Sequence, residues 1–363
     1  GNLVYGIRET LLGSDKLTWE KSYKTNIGLE MMLWGKLNLT LDYYWERRKD
    51  ILIQRSSLPS MAGFDASIYA NMGEMDNKGV DANLEYQTRI GNKVGLRLFG
   101  NLTYSKNKIV FRDEPAMQYA YQKSEGTRYG EFYGYIAEGY FQSEEEIKKS
   151  PRQMRELAPG DIKYKDLNDD GVIDANDQCY LGKSWFPSWS YGMGFNINYH
   201  NFDLALFFQG VSDVSIMANG GSIDTGNGDW GASGVGIVPF TGMGLNPSNV
   251  ITKALDRWTA DNPRADAWYP RMTANATTND NNYVNSTHWL KDGSYLRLKQ
   301  ASLGYTLENK KLMDKGIEYL YFYLSGQNLL TFSKFKLWDP ELGSNGAKYP
   351  LSRMVTLGMR VSF

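Results

Sequence analysis

The stretch best equipped for chemistry is Asp166-Leu-Asn168-Asp-Asp170-Gly171-Val172-Ile-Asp174-Ala-Asn-Asp177. Carboxylate or amide oxygens stand at loop positions 1, 3, 5, 9 and 12, with glycine at position 6 for the sharp turn. A hard cation such as Ca²⁺ takes six to eight oxygens, and this register brings them toward one point. The role expected of the ion is structural. The bland alternative is an acidic turn rich in Asx residues that binds nothing tightly. Asp177 stands at position 12, where an EF-hand loop carries glutamate; dockerin-type loops, to which the stretch is more similar, have aspartate there.

The second chemical resource is aromatic. Between the regular segments lie Trp185, Trp230, Trp258, Trp268, Trp289 and Trp338. Indole faces beside Asp, Asn and Arg stack on sugar rings or peptide side chains, so Trp185, Trp230, Trp268, Trp289 and Trp338 are candidate substrate or partner contacts. Loop packing is the commoner fate of any one of them. The run Asn279-Asp-Asn-Asn-Tyr283 reads as solvated loop, and Ser143-Glu-Glu-Glu146-Ile147 has capping-box spacing, which predicts a short packing helix. Catalytic material is missing: there is no GxSxG, no HExxH, no phosphate-cradling glycine loop and no Cys/His cluster. His200, His288 and the single Cys179 leave little for a metalloenzyme or a disulfide. Nothing calls for an organic cofactor, and the sequence makes no positive case for an enzyme.

These residues hang on a repeating pattern. Leu37, Leu39, Leu41, Tyr43 and Trp45 alternate with Asn38, Thr40, Asp42, Tyr44 and Glu46, after a comparable run from Trp19 to Met31 and a turn at Trp34-Gly35. Such period-two runs, apolar on one face and polar on the other, recur as Val80–Tyr86, Val94–Tyr104, Tyr191–Tyr199, Phe202–Phe208, Tyr295–Leu307 (its alternation breaking near Ala301, as at a bulge) and Leu320–Leu324. The runs that start at Trp19 and Leu37 reach ten residues or more, whereas soluble strands are typically about five or six. Met354 to Phe363 closes the set, with Val355, Leu357, Met359, Val361 and Phe363 on one face.

The nine strands are joined by short connections near 33–35, 90–93, 200–201 and 308–316, and by long ones near 55–70, 109–183, 217–294 and 332–350. Short turns at one end and long loops at the other is the arrangement of outer-membrane β-barrels, whose long loops are extracellular. On that reading 109–183, with the calcium-type loop, and 217–294 are extracellular, and the chain opens in mid-barrel. Single-chain bacterial barrels have an even number of strands, so residues 1–363 are expected to be the C-terminal part of one larger barrel domain. Composition agrees. No apolar run approaches 18 residues, mean hydropathy is −0.49, and 25 Tyr with 10 Trp supply interface girdles. With 40 Lys+Arg against 41 Asp+Glu, the charge gives no reason to expect nucleic acid as a partner.

Several segments together resemble the TonB-dependent transporters of the SusC/RagA class. They are Leu58-Pro-Ser-Met-Ala-Gly-Phe64, Met75-Asp-Asn-Lys-Gly-Val80, Pro159-Gly-Asp-Ile-Lys-Tyr-Lys-Asp166, Phe202-Asp-Leu-Ala-Leu-Phe-Phe-Gln-Gly210, Asp256-Arg-Trp-Thr259, Asp292-Gly-Ser-Tyr-Leu-Arg-Leu-Lys299, Ser325-Gly-Gln-Asn-Leu-Leu330 and the terminal Phe363. The resemblance implies an all-β, transmembrane antiparallel barrel of 22 strands with a plug, importing a bulky oligosaccharide or peptide on TonB-derived energy under a SusD-like lipoprotein lid. It also places calcium ligands at Asp166, Asn168, Asp170, Val172 (through its carbonyl), Asp174 and Asp177. The remaining barrel, the plug and the TonB box have no counterpart among these residues. The alternative is a surface or soluble β-rich module that binds glycans on a calcium-stabilised scaffold.

Overall fold

In the computed structural model, residues 16–57, 68–91, 93–219, 252–272, 281–344, 346 and 349–363 are described. Nine long strands form one sheet, β1 (Lys21–Leu33), β2 (Leu37–Gln54), β3 (Tyr69–Ile90), β4 (Val94–Phe111), β9 (Trp189–Tyr199), β10 (Phe202–Ser212), β13 (Tyr295–Leu307), β14 (Tyr319–Ser333) and β15 (Met354–Ser362). They neighbour one another in that order and every pair is antiparallel. The first hairpin closes on a short turn. Lys36 N–H donates to Leu33 O at 3.0 Å, and Trp34 and Gly35 both have positive φ (52° and 62°), as a turn matched to the strand twist requires.

The register explains why alternation was the dominant signal. One continuous row across the sheet runs Leu29, Leu41, Ala82, Leu102, Tyr191, Gly210, Leu296, Phe332. The row beside it runs Gly28, Asp42, Asp81, Thr103, Ser190, Val211, Tyr295, Ser333. Successive side chains point to opposite faces, so one face is apolar over its whole width and the other largely polar. Glycine in the apolar row is covered rather than left open: a Cβ on Gly210 would sit 2.5 Å from the Tyr191 ring, so the ring lies over bare backbone.

The break expected near Ala301 is a bulge two residues earlier. β13 shifts register between Leu298 and Gln300 against β14, and against β10 between Phe207 and Phe208. The extra residue, Lys299, changes the phase of the strand. Leu296 and Leu298 before it and Ala301 and Leu303 after it therefore share the apolar face, which unbroken alternation would forbid.

Among the described residues, the apolar face has no protein core beneath it. Leu303, Leu324, Leu357, Met193 and Phe332 are exposed. The buried core lies instead in the long connections, where short strands pair as β5 (Glu131–Gly134) with β8 (Cys179–Ser184), β6 (Ala137–Tyr140) with β7 (Ile162–Tyr164), and β11 (Ser215–Met217) with β12 (Leu290–Asp292). Tyr135, Tyr140, Ile162, Tyr164, Ile173, Met217, Trp258, Tyr269, Tyr283 and Trp289 pack there as one cluster. A second, of Ile216, Ala218 and Phe335, takes in Trp338, and Trp268 touches both. Three connections thus fold into a single cap at one end of the sheet. The predicted helix is present as α1 (Glu144–Lys149): Ser143 Oγ accepts from Glu146 N–H at 3.2 Å, and Glu146 reaches back to Gln142 N–H at 2.8 Å.

Candidate functional site

The acidic loop is a closed hydrogen-bonded turn. Asp166 accepts from Asp169 N–H (2.7 Å) and Gly171 N–H (2.8 Å), Asn168 from Asp170 N–H (3.1 Å), Asp170 from Val172 N–H (2.9 Å) and Asp174 from Asn176 N–H (2.7 Å). Asp177, fully buried, accepts from Leu167 N–H (2.7 Å) and Asp174 N–H (2.9 Å) and so ties the two ends together. Ile173 is plugged into the cap core, while Gly171 O and Ile173 N–H bond the backbone of Arg152. Against the other side rests a stacked pair, Tyr119 and Tyr121, whose ring centres are 5.2 Å apart; Asn168 Nδ2 donates to Tyr119 Oη and Tyr121 O–H donates to Asn176 O.

The oxygen set has the chemistry of a calcium loop. Its present arrangement is the turn itself: among the described residues no three His, Cys, Asp or Glu side chains converge at metal-binding spacing, and Asn168 Nδ2 donates to the outer oxygen of Asp170 at 2.9 Å. Each carboxylate oxygen that accepts one N–H keeps a second lone pair.

The aromatic candidates separate by burial. Trp289 has no exposed surface; its Nε1–H donates to Asn282 O at 2.7 Å, and Trp268, Tyr269, Tyr283 and His288 surround it. The expectation that it contacts substrate is corrected: it is the centre of the cap. Trp268 bridges the two clusters, and Trp338 donates to Gly343 O and packs on Phe335, so both rings are engaged in holding loops together. Trp185 is different, 56% exposed, meeting Phe186 edge-on while Phe186 stacks on Tyr129. Trp230, and the segment Leu58–Phe64 of the family resemblance, lie outside the described residues.

Sequence reading missed the polar skeleton of the cap. Asn281 and Asn282, expected in solvated loop, are fully buried. Asn282 Oδ1 accepts from Ile162 N–H and its amide donates to Asp161; Asn281 Nδ2 donates to Ile162 O, and Gln153 donates to both Ile162 O and Asn281 Oδ1. Asp161, also without exposed surface, is gripped by Arg271 through Nε and Nη2, both at 2.9 Å. Between them Gly160, at φ +91°, lies so close to the Trp258 ring that a Cβ would stand 2.2 Å away. Only glycine fits there. A run of Asn separated from its partners by more than a hundred residues carries no local sign that it is buried. Arg297 was missed for the same reason. It is 2% exposed in β13, and donates to Asp339 at 2.6 Å with Glu341 at 3.3 Å.

An antiparallel sheet of long strands with a bare apolar face and a loop cap at one end defines a transmembrane β-barrel protein. The comparisons give the family. The family profile described as TonB dependent receptor-like, beta-barrel matches residues 4–329, and the chain belongs to that family. It is 28% identical to TonB-dependent receptor P3 of Formosa agariphila, the match covering 99% of this chain and 36% of the relative, and 23% identical to TonB-dependent receptor SusC of Bacteroides thetaiotaomicron, covering all of this chain and 34% of the relative. The RagAB peptide importer in its open-open state superposes with a TM-score of 0.71 at 24% identity, over 98% of this chain and 36% of the importer chain. The chain therefore spans about a third of the length of these proteins. It is barrel wall and loop cap of an outer-membrane TonB-dependent receptor-like β-barrel. That membership leaves the soluble-module alternative without a basis.

Proposed function

We propose that the full-length protein imports a bulky nutrient, an oligosaccharide or a peptide, across the outer membrane with energy from the TonB complex, and that a SusD-like lipoprotein closes over the cap. The observation that carries this reading is the cap. Two long connections share one hydrophobic core around Trp289 and one buried polar network around Asp161, and the third joins them through the Phe335 cluster that Trp268 also touches, which gives a pre-formed platform rather than loose loops. A partner that opens and shuts as a lid needs such a rigid seat. The cap is then the extracellular end, and the plug and TonB box belong to parts of the protein outside this chain. The RagAB structure is described as a peptide importer, and its likeness in fold leaves both the peptide and the oligosaccharide options open. Deleting the gene and measuring uptake of labelled oligosaccharide and peptide mixtures tests the proposal. Uptake of one mixture should fall and return with the intact gene but not with one lacking its TonB-contacting segment. Unchanged uptake of both sinks it, and a tagged receptor that purifies without a surface lipoprotein removes the lid.

Within the cap, Asp166, Asn168, Asp170, Val172, Asp174 and Asp177 are proposed as a structural calcium site. Extracellular sites of this kind have Kd on the order of 10⁻⁴–10⁻³ M. Calcium added to chelated protein should slow protease cleavage within 109–183, and Asp170→Ala should abolish that protection. Identical cleavage with and without calcium would show that the turn stands on its hydrogen bonds alone.

Among the described residues, the exposed group of Trp185, Phe186 and Tyr129 is open to a partner or substrate.

A further inference from the structure

Where β10 and β13 leave the sheet, Asp213 takes a positive φ of 54° and the chain continues into the β11–β12 pair. Beneath that pair lies a cavity of about 380 Å³, lined among others by Lys183, Asp213, Ser215, Thr287, Lys291 and Asp292. Its charges are unevenly committed. Asp213 already accepts from Arg128 at 2.8 Å and from Ser188, and Asp292 accepts from Ser294 N–H at 2.9 Å with Lys334 at 3.9 Å. Lys291 is half-buried, and among the described residues its ammonium has no carboxylate or carbonyl partner; its Nζ lies 5.1 Å from the centre of the Trp268 ring. Burial, with the Lys253 ammonium nearby, holds Lys291 below the usual lysine range. Arg128 and Lys183 act on Asp213, and Lys334 and Lys183 on Asp292, so both carboxylates are already answered and Lys291 is left, among the described residues, as the uncompensated charge of the lining. A half-buried ammonium without an anion carries part of the desolvation cost and gains from an anion that arrives.

We propose that this cavity is a subsite for a carboxylate of the imported substrate. Lys291 Nζ donates to the anion, and Lys183 supplies a second positive charge at the rim. Thr287 Oγ1 accepts from Ala137 N–H at 2.9 Å, which leaves its own hydrogen to donate, and Ser215 offers a buried hydroxyl beside it. The substrate is accordingly acidic, either an oligosaccharide carrying uronate groups or a peptide with a free carboxylate. This inference rests on the import reading and narrows it.

The test uses the full-length receptor in detergent and two probe pairs, an oligouronate with its methyl ester and a short peptide with its terminal amide. Calorimetry should show the acid of one pair binding about tenfold tighter than its neutral partner, the value of one charge-assisted hydrogen bond. A gap in the first pair identifies a uronate, in the second a peptide carboxylate. Lys291→Gln should erase the gap while leaving affinity for the neutral probe unchanged, and Lys291→Arg should keep most of it. Equal affinities within both pairs, or a gap that survives Lys291→Gln, overturn the subsite. So does the absence of binding by all four probes; the import reading itself stands or falls on the uptake measurement, which does not depend on charge.

Discussion

Replacing Arg297 with methionine is expected to release the connection that follows β14 from the barrel wall. Arg297 carries its charge into a place with almost no solvent, and the arrangement holds only because two carboxylates of that connection come to meet it, Asp339 at 2.6 Å and Glu341 at 3.3 Å. The ring of Tyr295 backs the guanidinium at 5.3 Å. Asp339 has a second task. The same Oδ1 accepts from Glu341 N–H at 3.0 Å and so starts the short turn Pro340–Leu342. Without the cation, that turn would hold two acids against a wall with no charge to answer them. Breaking a buried pair by removing one partner costs about 3–5 kcal/mol. Glu341 is itself partly in solvent, so the lower end applies. A local opening free energy reduced by about 3 kcal/mol raises the open population about a hundredfold. Hydrogen exchange over 334–344 should show that acceleration, with β14 itself unaffected. Arg297→Lys should recover part of it, since one ammonium reaches one carboxylate but does not span two. Exchange unchanged in Arg297→Met would mean the connection is held by Phe335 and Trp338 alone.

The barrel wall was legible in the sequence because one physical rule governs every strand. With lipid on one side, each second residue must be apolar, and that demand repeats over enough residues to be read without knowing any partner. Even the bulge at Lys299 announced itself, as a phase change two residues later. The cap was not legible. Its core residues Tyr135, Ile162, Trp258, Tyr269 and Trp289 fall at no period, because they come from irregular chain brought together across more than a hundred positions. The polar half is harder still. Asp161, Arg271, Asn281 and Asn282 have the composition of a solvated loop, and only the partners found in three dimensions distinguish a buried amide from a wet one. Lys291 belongs with them, an ordinary lysine in sequence whose lack of a carboxylate partner among the described residues is visible only in the fold. The calcium-type loop is the reverse case. Its spacing was plain, and what the fold adds is that the same oxygens that suit a cation also close the turn.

Trp289→Ala is expected to dismantle the cap and leave the wall standing. The indole is fully buried, meets Trp268, Tyr269, Tyr283 and His288, and its N–H satisfies Asn282 O. Truncating a buried tryptophan costs about 3–5 kcal/mol, and the orphaned carbonyl adds to that. The stability of a loop cap is a small sum, so the loss should appear as rapid proteolysis within 109–183 and 281–294 while the strands stay resistant. Acid should mimic the mutation. His288 sits edge-on to Trp289 at 4.7 Å, its Nε2 facing Trp268 O and the Tyr140 oxygen, and burial, reinforced by the Lys291 charge, pushes its pKa down to about 3. The opened cap frees that imidazole to titrate near its ordinary value of 6.5. The open form therefore binds the extra proton first, and the closed form is fully favoured above pH 6.5. Its advantage then falls by about 1.4 kcal/mol for each pH unit down toward pH 3. Proteolysis of the cap should accelerate through that window, and His288→Gln should flatten the profile. A cap equally resistant at pH 7 and pH 4 would mean that His288 stays neutral in the opened form as well, and that the cluster around Trp289 does not come apart as one unit.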